Sequence, residues 1–158
     1  SNTKMAIKLR LETEEILSAW CAHHLPEIVP LDRYNPSFEE LEKQREAGEC
    51  FVFAHGSSNT IFNRVQSKLN YRAWHDTMHL WNGIDFSEQG EADVAIAQET
   101  YARDVMGICE RDAKLLRLDI ELHIKHYYIH KTHPEYQTDM IVDYLLSGDD
   151  ALEKNYGI

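Results

Sequence analysis

Histidine is the residue type through which this sequence points to chemistry. Nine of the 158 residues are histidine, and they are unevenly spread. His123, His126, His130 and His133 fall within eleven residues, while His75 and His79 are four apart. On a helix, residues four apart share one face, so both imidazoles can reach a single ion. A wheel drawn at about 100° per residue puts Asp119, His123, His126 and His130 on one strip. Leu115, Leu122 and Ile129 flank that strip on one side, and Leu116, Ile120 and Tyr127 on the other. Titratable groups in the middle of an apolar arc cost several kcal/mol on burial unless something satisfies them. Neutral imidazole and carboxylate are good ligands for a divalent ion such as zinc, manganese or iron. The expected ligands are therefore His75, His79, Asp119, His123 and His126.

Three further residues are candidates for catalysis. Glu99 falls in a face otherwise made by Ala92, Ala95, Ala102 and Met106. Small neighbours allow close approach of another helix, towards which the carboxylate would point, as in the metal sites of helical bundles. Asp76 follows the first histidine of the His75/His79 pair, where zinc proteases carry a glutamate as general base. No other part of the protease pattern is present. Arg72, one turn before His75, can hold an anionic substrate group.

The stretch His75-Asp76-Thr77-Met78-His79 resembles a local piece of the HD-type phosphohydrolases, all-α bundles that hold metal with a His, a His-Asp dipeptide and a distant Asp. The likeness covers about five residues, with His55 upstream and Asp119 downstream at suitable distances. The apolar run usual before the dipeptide is missing. The resemblance implies a metal-dependent phosphohydrolase built on helices.

Sequence punctuation defines the elements that must position these groups. Thr13 can cap a first helix to about Leu25, stopped by Pro26 and Pro30. Ser37 and Glu40 form a capping box for a helix from Phe38 to Ala47, closed by Gly48. The apolar run from Cys50 to Ala54 is strand-like but has no evident partner, so it is expected to be a buried connector or the start of a helix. Helical stretches follow at about 60–69 and 71–82, ended by Gly83. Ser87 opens a long segment to about Lys131, bent near Gly107. A last helix begins at Pro134, runs to Leu146 and is closed by Gly148. These elements predict an all-α, single-domain irregular bundle of five to seven helices over residues 1–148, with 149–158 as a C-terminal tail.

Composition narrows the function classes. Apolar residues make up 43% and charged residues 27%, a globular balance. The net charge of −11 repels phosphate backbones and anionic lipid, so neither nucleic acid nor a membrane surface is an expected partner. No stretch approaches the roughly 20 apolar residues of a membrane span, and a cytoplasmic location is expected. Cys21, Cys50 and Cys109 are odd in number and far apart, which fits neither a disulfide framework nor a thiolate zinc site. The glycine-rich phosphate loop, the dinucleotide fingerprint and the Gly-x-Ser-x-Gly elbow are all absent. Three readings remain, in this order. The first is a metal-dependent hydrolase acting on a small, in one variant phosphorylated, substrate. The second is a helical non-haem iron or di-iron oxidase or oxygenase. The third is a non-enzymatic binding or assembly module, including a homo-oligomer, that stacks histidines and aromatics at an interface.

Overall fold

The computed structural model describes residues 6–158 and is an all-α bundle with one small sheet. The helices are α1 (Leu11–His24), α2 (Phe38–Glu46), α3 (Val65–Asn82), α4 (Glu88–Asp104), α5 (Glu110–His130) and α6 (Gln137–Tyr156). The strands are β1 (Ile28–Leu31) and β2 (Cys50–Phe53). They pair in parallel with Ile28 opposite Cys50 and Leu31 opposite Phe53, and α2 makes the crossover that parallel strands require. The Cys50–Ala54 run is thus a strand and not a connector, because the chain around Pro30 lies extended beside it. None of the helices among the described residues is long and apolar enough to cross a membrane.

Several local signals act where the sequence puts them. Ser37 caps α2 by accepting from the Glu40 N–H at 3.1 Å, and Ser87 caps α4 by accepting from the Gly90 N–H at 3.0 Å. The long segment breaks between α4 and α5, where Gly107 takes a positive φ of 76°. Thr13 does not cap α1. Arg10 occupies that position, and the Thr13 hydroxyl donates to the buried Asp112 carboxylate instead, tying α1 to the start of α5. The two stretches expected over 60–82 are one helix from Val65, preceded by a loop. The Glu14 carboxylate organises that loop by accepting from the Asn63 and Arg64 N–H groups and from Asn63 Nδ2. Residues 149–158, expected as a polar tail, are helical as far as Tyr156. Gly148 bends the chain at φ 67°, and Leu152 then reaches the core.

The core centres on Trp74 of α3, which is fully buried among Leu17, Leu115, Leu116, Ile141 and Leu152. Around it α3 packs on α1, on the sheet and on α4, while α5 packs on α4 and α6. A loop over 54–64 is stitched to the start of α6. Asn59 Oδ1 accepts from the Thr138 N–H and hydroxyl, and the Ser57 hydroxyl donates to the Glu135 carbonyl. The sheet, this loop and helices α3, α4 and α5 line an open cavity of about 990 Å³.

One close approach sets the geometry of the cavity wall. Gly90 in the first turn of α4 lies against the Asp85 backbone, and a Cβ there would stand 2.2 Å from the Asp85 carbonyl oxygen. Alanine normally favours a helix over glycine by about 1 kcal/mol. Gly90→Ala is nevertheless expected to destabilise the fold by about 1–3 kcal/mol through overpacking. Urea unfolding checks this, and a variant as stable as the wild type would show that the contact relaxes without cost.

Candidate metal centre

The most concentrated chemistry lies where α3 meets the first turn of α4. His75 and His79 share a face of α3, as their spacing requires. Their Nε2 atoms are 3.2 Å apart. Glu91 of α4 completes the group, with Oε2 at 3.1 Å from His75 Nε2 and Oε1 at 3.2 Å from His79 Nε2. Ligand atoms of the three residues all lie within 4.8 Å of one another. His79 is fully buried, and His75 reaches the cavity with 18% of its side chain exposed.

The other ring nitrogens are already engaged. His79 Nδ1 is 2.8 Å from the Ile84 carbonyl, and His75 Nδ1 is 2.7 Å from Gln98 Oε1. Both partners are acceptors, so both Nδ1 atoms carry protons and both Nε2 atoms are lone-pair donors in the neutral rings. Two lone pairs and a carboxylate therefore converge on one small volume. Such a set repels itself unless a cation sits within it. A proton fulfils that role in the isolated chain. Burial opposes the charge on His75, but the Glu91 carboxylate, with Asp76 beyond it, outweighs burial and raises the imidazole to about 9. Burial likewise opposes the Glu91 charge, but hydrogen bonds from His75 and His79 hold its carboxyl down at about 2. The donor set of two imidazoles and one carboxylate, with both rings oriented by acceptors on Nδ1, also suits a divalent transition metal.

Local structure explains why these atoms meet. Gly83 ends α3 in the left-handed conformation at φ 62°. The following Ile84 turns back so that its N–H bonds the His79 carbonyl and its own carbonyl faces the His79 ring. Phe86 then packs its edge on that ring, with centroids 4.6 Å apart. Glu91, Ala95, Gln98 and Ala102 fall at helical spacing along the buried face of α4, so Glu91 and Gln98 reach the same histidine from two turns.

The remaining predicted residues are divided by the fold. Asp76 and Arg72 line the cavity beside His75. Asp76 accepts no hydrogen bond among the described residues, and burial raises its carboxyl above the ordinary range against the pull of His75 and Arg45. Asp119 and His123 line the same cavity from α5 but stand outside the His75/His79/Glu91 group. His123 Nε2 is instead 2.8 Å from His133 Nδ1. His126 faces its own helix end, with Nδ1 at 2.9 Å from the Thr132 carbonyl. Glu99 lies outside the cavity, held by Arg117 at 3.1 Å and more loosely by Arg103. The α5 stripe thus faces the cavity and then the surface, because the core is filled by Leu115, Leu116, Leu118 and Leu122 on either side of it. His55, which the phosphohydrolase resemblance would bring to the metal, is exposed and paired with Asp32 at 2.9 Å.

Glu91 and Gln98 were not singled out in the sequence. Glu91 reads there as one of several acids in a first helical turn, a common dipole-favoured position. Its signal was the four-residue step to Ala95 together with a glycine just before it. The chain matches no family model, no curated protein and no solved structure.

Asp119 gives the cavity a pH signature. Burial drives its carboxyl up to about 7, against the attraction of Arg72, His75 and Lys68, and its Oδ1 has no hydrogen-bond partner among the described residues. A carboxyl raised in the folded state favours folding below its unfolded pKa near 4, and that contribution disappears as pH rises through about 7. Asp119→Asn is therefore expected to be more stable than the wild type at pH 8, by roughly 1–2 kcal/mol, with the gain shrinking towards pH 5. Thermal melts across that range test it, and a pH-independent difference would contradict it.

Proposed function

We propose that this chain is a metal-dependent enzyme of hydrolytic type, holding one divalent ion on His75, His79 and Glu91 at the wall of its cavity. The observation that carries the reading is the convergence of two imidazole Nε2 atoms on one carboxylate while each Nδ1 is already bonded. A divalent ion there would lower the pKa of a bound water towards neutrality and so supply a nucleophile. Asp76 follows His75 and lines the cavity with no hydrogen-bond partner among the described residues, which places a carboxylate where a general base could act. The cavity lining also includes the aromatic and aliphatic side chains of Tyr127, Tyr128 and Ile124, which suits a small organic substrate. Arg72 offers a fixed positive group to an anionic end of that substrate.

A second reading has its own support. Two histidines and one carboxylate are also the ligand set of mononuclear non-haem iron oxygenases. A di-iron site wants about four carboxylates, and this group contains one. The oxidative reading is therefore mononuclear.

Both readings begin with metal uptake. Protein stripped by a chelator is expected to bind one equivalent of zinc, manganese or anaerobic ferrous ion. Stability should rise by about 2.7 kcal/mol at a hundredfold excess over Kd, seen as a higher Tm. His79→Ala and Glu91→Ala should abolish uptake, and Gln98→Leu, which only releases the His75 ring, should weaken it about 10–100-fold. His126→Ala and Glu99→Ala should leave it intact. Uptake that survives both His79→Ala and Glu91→Ala would sink the proposal. Hydrolysis of an ester panel by the zinc or manganese form supports the first reading, whereas oxygen consumption by the ferrous form supports the second.

A further inference from the structure

Helix α3 carries more than the two histidines along its cavity face. Lys68, Arg72 and His75 follow one another at four and three residues, so the two cations continue the line of the triad towards the helix start. At 1.5 Å per residue, Arg72 lies about 4.5 Å along the axis from His75. Both cations line the cavity.

Their partners do not match their charge. Lys68 Nζ donates to the Ser57 carbonyl at 3.2 Å, and Arg72 Nη1 to the Phe53 carbonyl at 2.6 Å. Neither forms an ion pair within 4.0 Å among the described residues. An ammonium has three donors and a guanidinium five, so most of their hydrogen-bonding capacity is unspent. Asp119, whose own Oδ1 has no hydrogen-bond partner, acts on both cations from beyond ion-pair distance, and Asp76 acts on Arg72 as well. Burial lowers the pKa of both cations, and for Lys68 the neighbouring Arg72 charge adds to it, with Asp119 pulling the other way on both and Asp76 on Arg72.

The loop above them is shaped around the pair. Gly56 has φ 139°, and the point where its Cβ would stand is 2.6 Å from Arg72 Nη2 and 3.9 Å from Lys68 Nζ. The two cationic groups therefore approach one spot, which only a glycine leaves open. The Arg72 guanidinium also lies over the Phe53 ring, 5.6 Å from its centroid, within cation–π range. Two like charges brought together at a cavity wall, each bonded to a backbone carbonyl and neither in an ion pair within 4.0 Å among the described residues, suit an anion with two negative charges, with which Asp119 and Asp76 would compete.

We propose that Lys68 and Arg72 form a phosphate subsite, which takes the dianionic group of a phosphate monoester substrate and holds it one helical turn from the metal triad. As a substrate subsite it rests on the metal-dependent reading above; as an anion site it stands alone. A guanidinium can meet two phosphate oxygens with parallel N–H groups while the ammonium serves a third as a point charge.

The test uses the full chain, freed of metal by a chelator, titrated calorimetrically with inorganic phosphate at neutral pH and low ionic strength. Wild-type protein is expected to bind one phosphate saturably and to melt at a higher temperature in phosphate than in chloride of equal ionic strength. Arg72→Gln and Lys68→Gln should each weaken binding about tenfold or more, with unchanged far-ultraviolet circular dichroism. Asp119→Asn, which removes one competing carboxylate, should tighten binding, and it keeps the proposal testable if Arg72→Gln does not fold. Absence of saturable binding by the folded wild type would overturn the proposal, as would equal binding by wild type and Lys68→Gln. Acetate bound as tightly as phosphate would overturn the dianion assignment. Zinc uptake is measured separately. Loss of phosphate binding with intact zinc uptake counts against this proposal alone, and the reverse counts against the metal reading alone.

Discussion

Two imidazoles with their Nδ1 protons already given away are the constraint around which the rest of the structure is arranged. A buried ring free to choose its tautomer could donate to Glu91 and remain an ordinary core histidine. The Ile84 carbonyl and Gln98 Oε1 remove that freedom. What remains is a pocket of electron pairs that needs a cation. The Ile84 carbonyl is a product of helix termination: the left-handed Gly83 reverses the chain so that the residue after it faces the last histidine of the helix. The end of α3 and the orientation of its ligand are thus one structural event. The close contact of Gly90 with Asp85 then fixes where α4 begins, and with it where Glu91 stands.

The other walls of the cavity carry less charge than their residue types suggest. His123 lies against His133, and burial, with His133 and Arg72 nearby, lowers its pKa to about 4. It is neutral in the ordinary pH range. Asp119, raised to about 7, is near its midpoint there. On α3 the cavity face carries Lys68 and Arg72 towards one end and, at the other, the His75/His79 pair that with Glu91 of α4 forms a possible metal-binding group. This polarity along a single helix runs opposite to the strongly acidic average of the chain. The acids gather on outer faces, as along α2, where Leu41 is the one buried residue. Net charge therefore says little about what the cavity would accept.

Much of the fold could be read in advance because its boundaries are set by short-range chemistry. Ser37 and Ser87 cap helices wherever they precede a helical run, and Gly83 ends α3 through backbone freedom that no other residue shares as cheaply. The misreadings were long-range. The β1–β2 pair needs the chain near Pro30 to lie beside Cys50, across a helix. Thr13 was drawn from its capping role by a carboxylate 99 residues away. The chain does break at Gly148, but a further helical segment follows it and places Leu152 in the core. None of these can be seen in a local window.

The candidate site divides in the same way. The pairing of His75 with His79, and the addition of Asp76 and Arg72 on nearby faces, follow from the pitch of one helix. The sequence therefore determined them alone. The third ligand depended on how α4 docks on α3. Helical periodicity defines an apolar face only to within one residue's rotation, about 100°. That uncertainty separates Glu99, which turns to Arg117, from Gln98, which turns to His75. It also separates a stripe of histidines facing the core from one that passes the cavity and reaches the surface, as on α5. Residue type and spacing determined which chemistry this chain could support. Only the packing of one helix on another decided which carboxylate would share it.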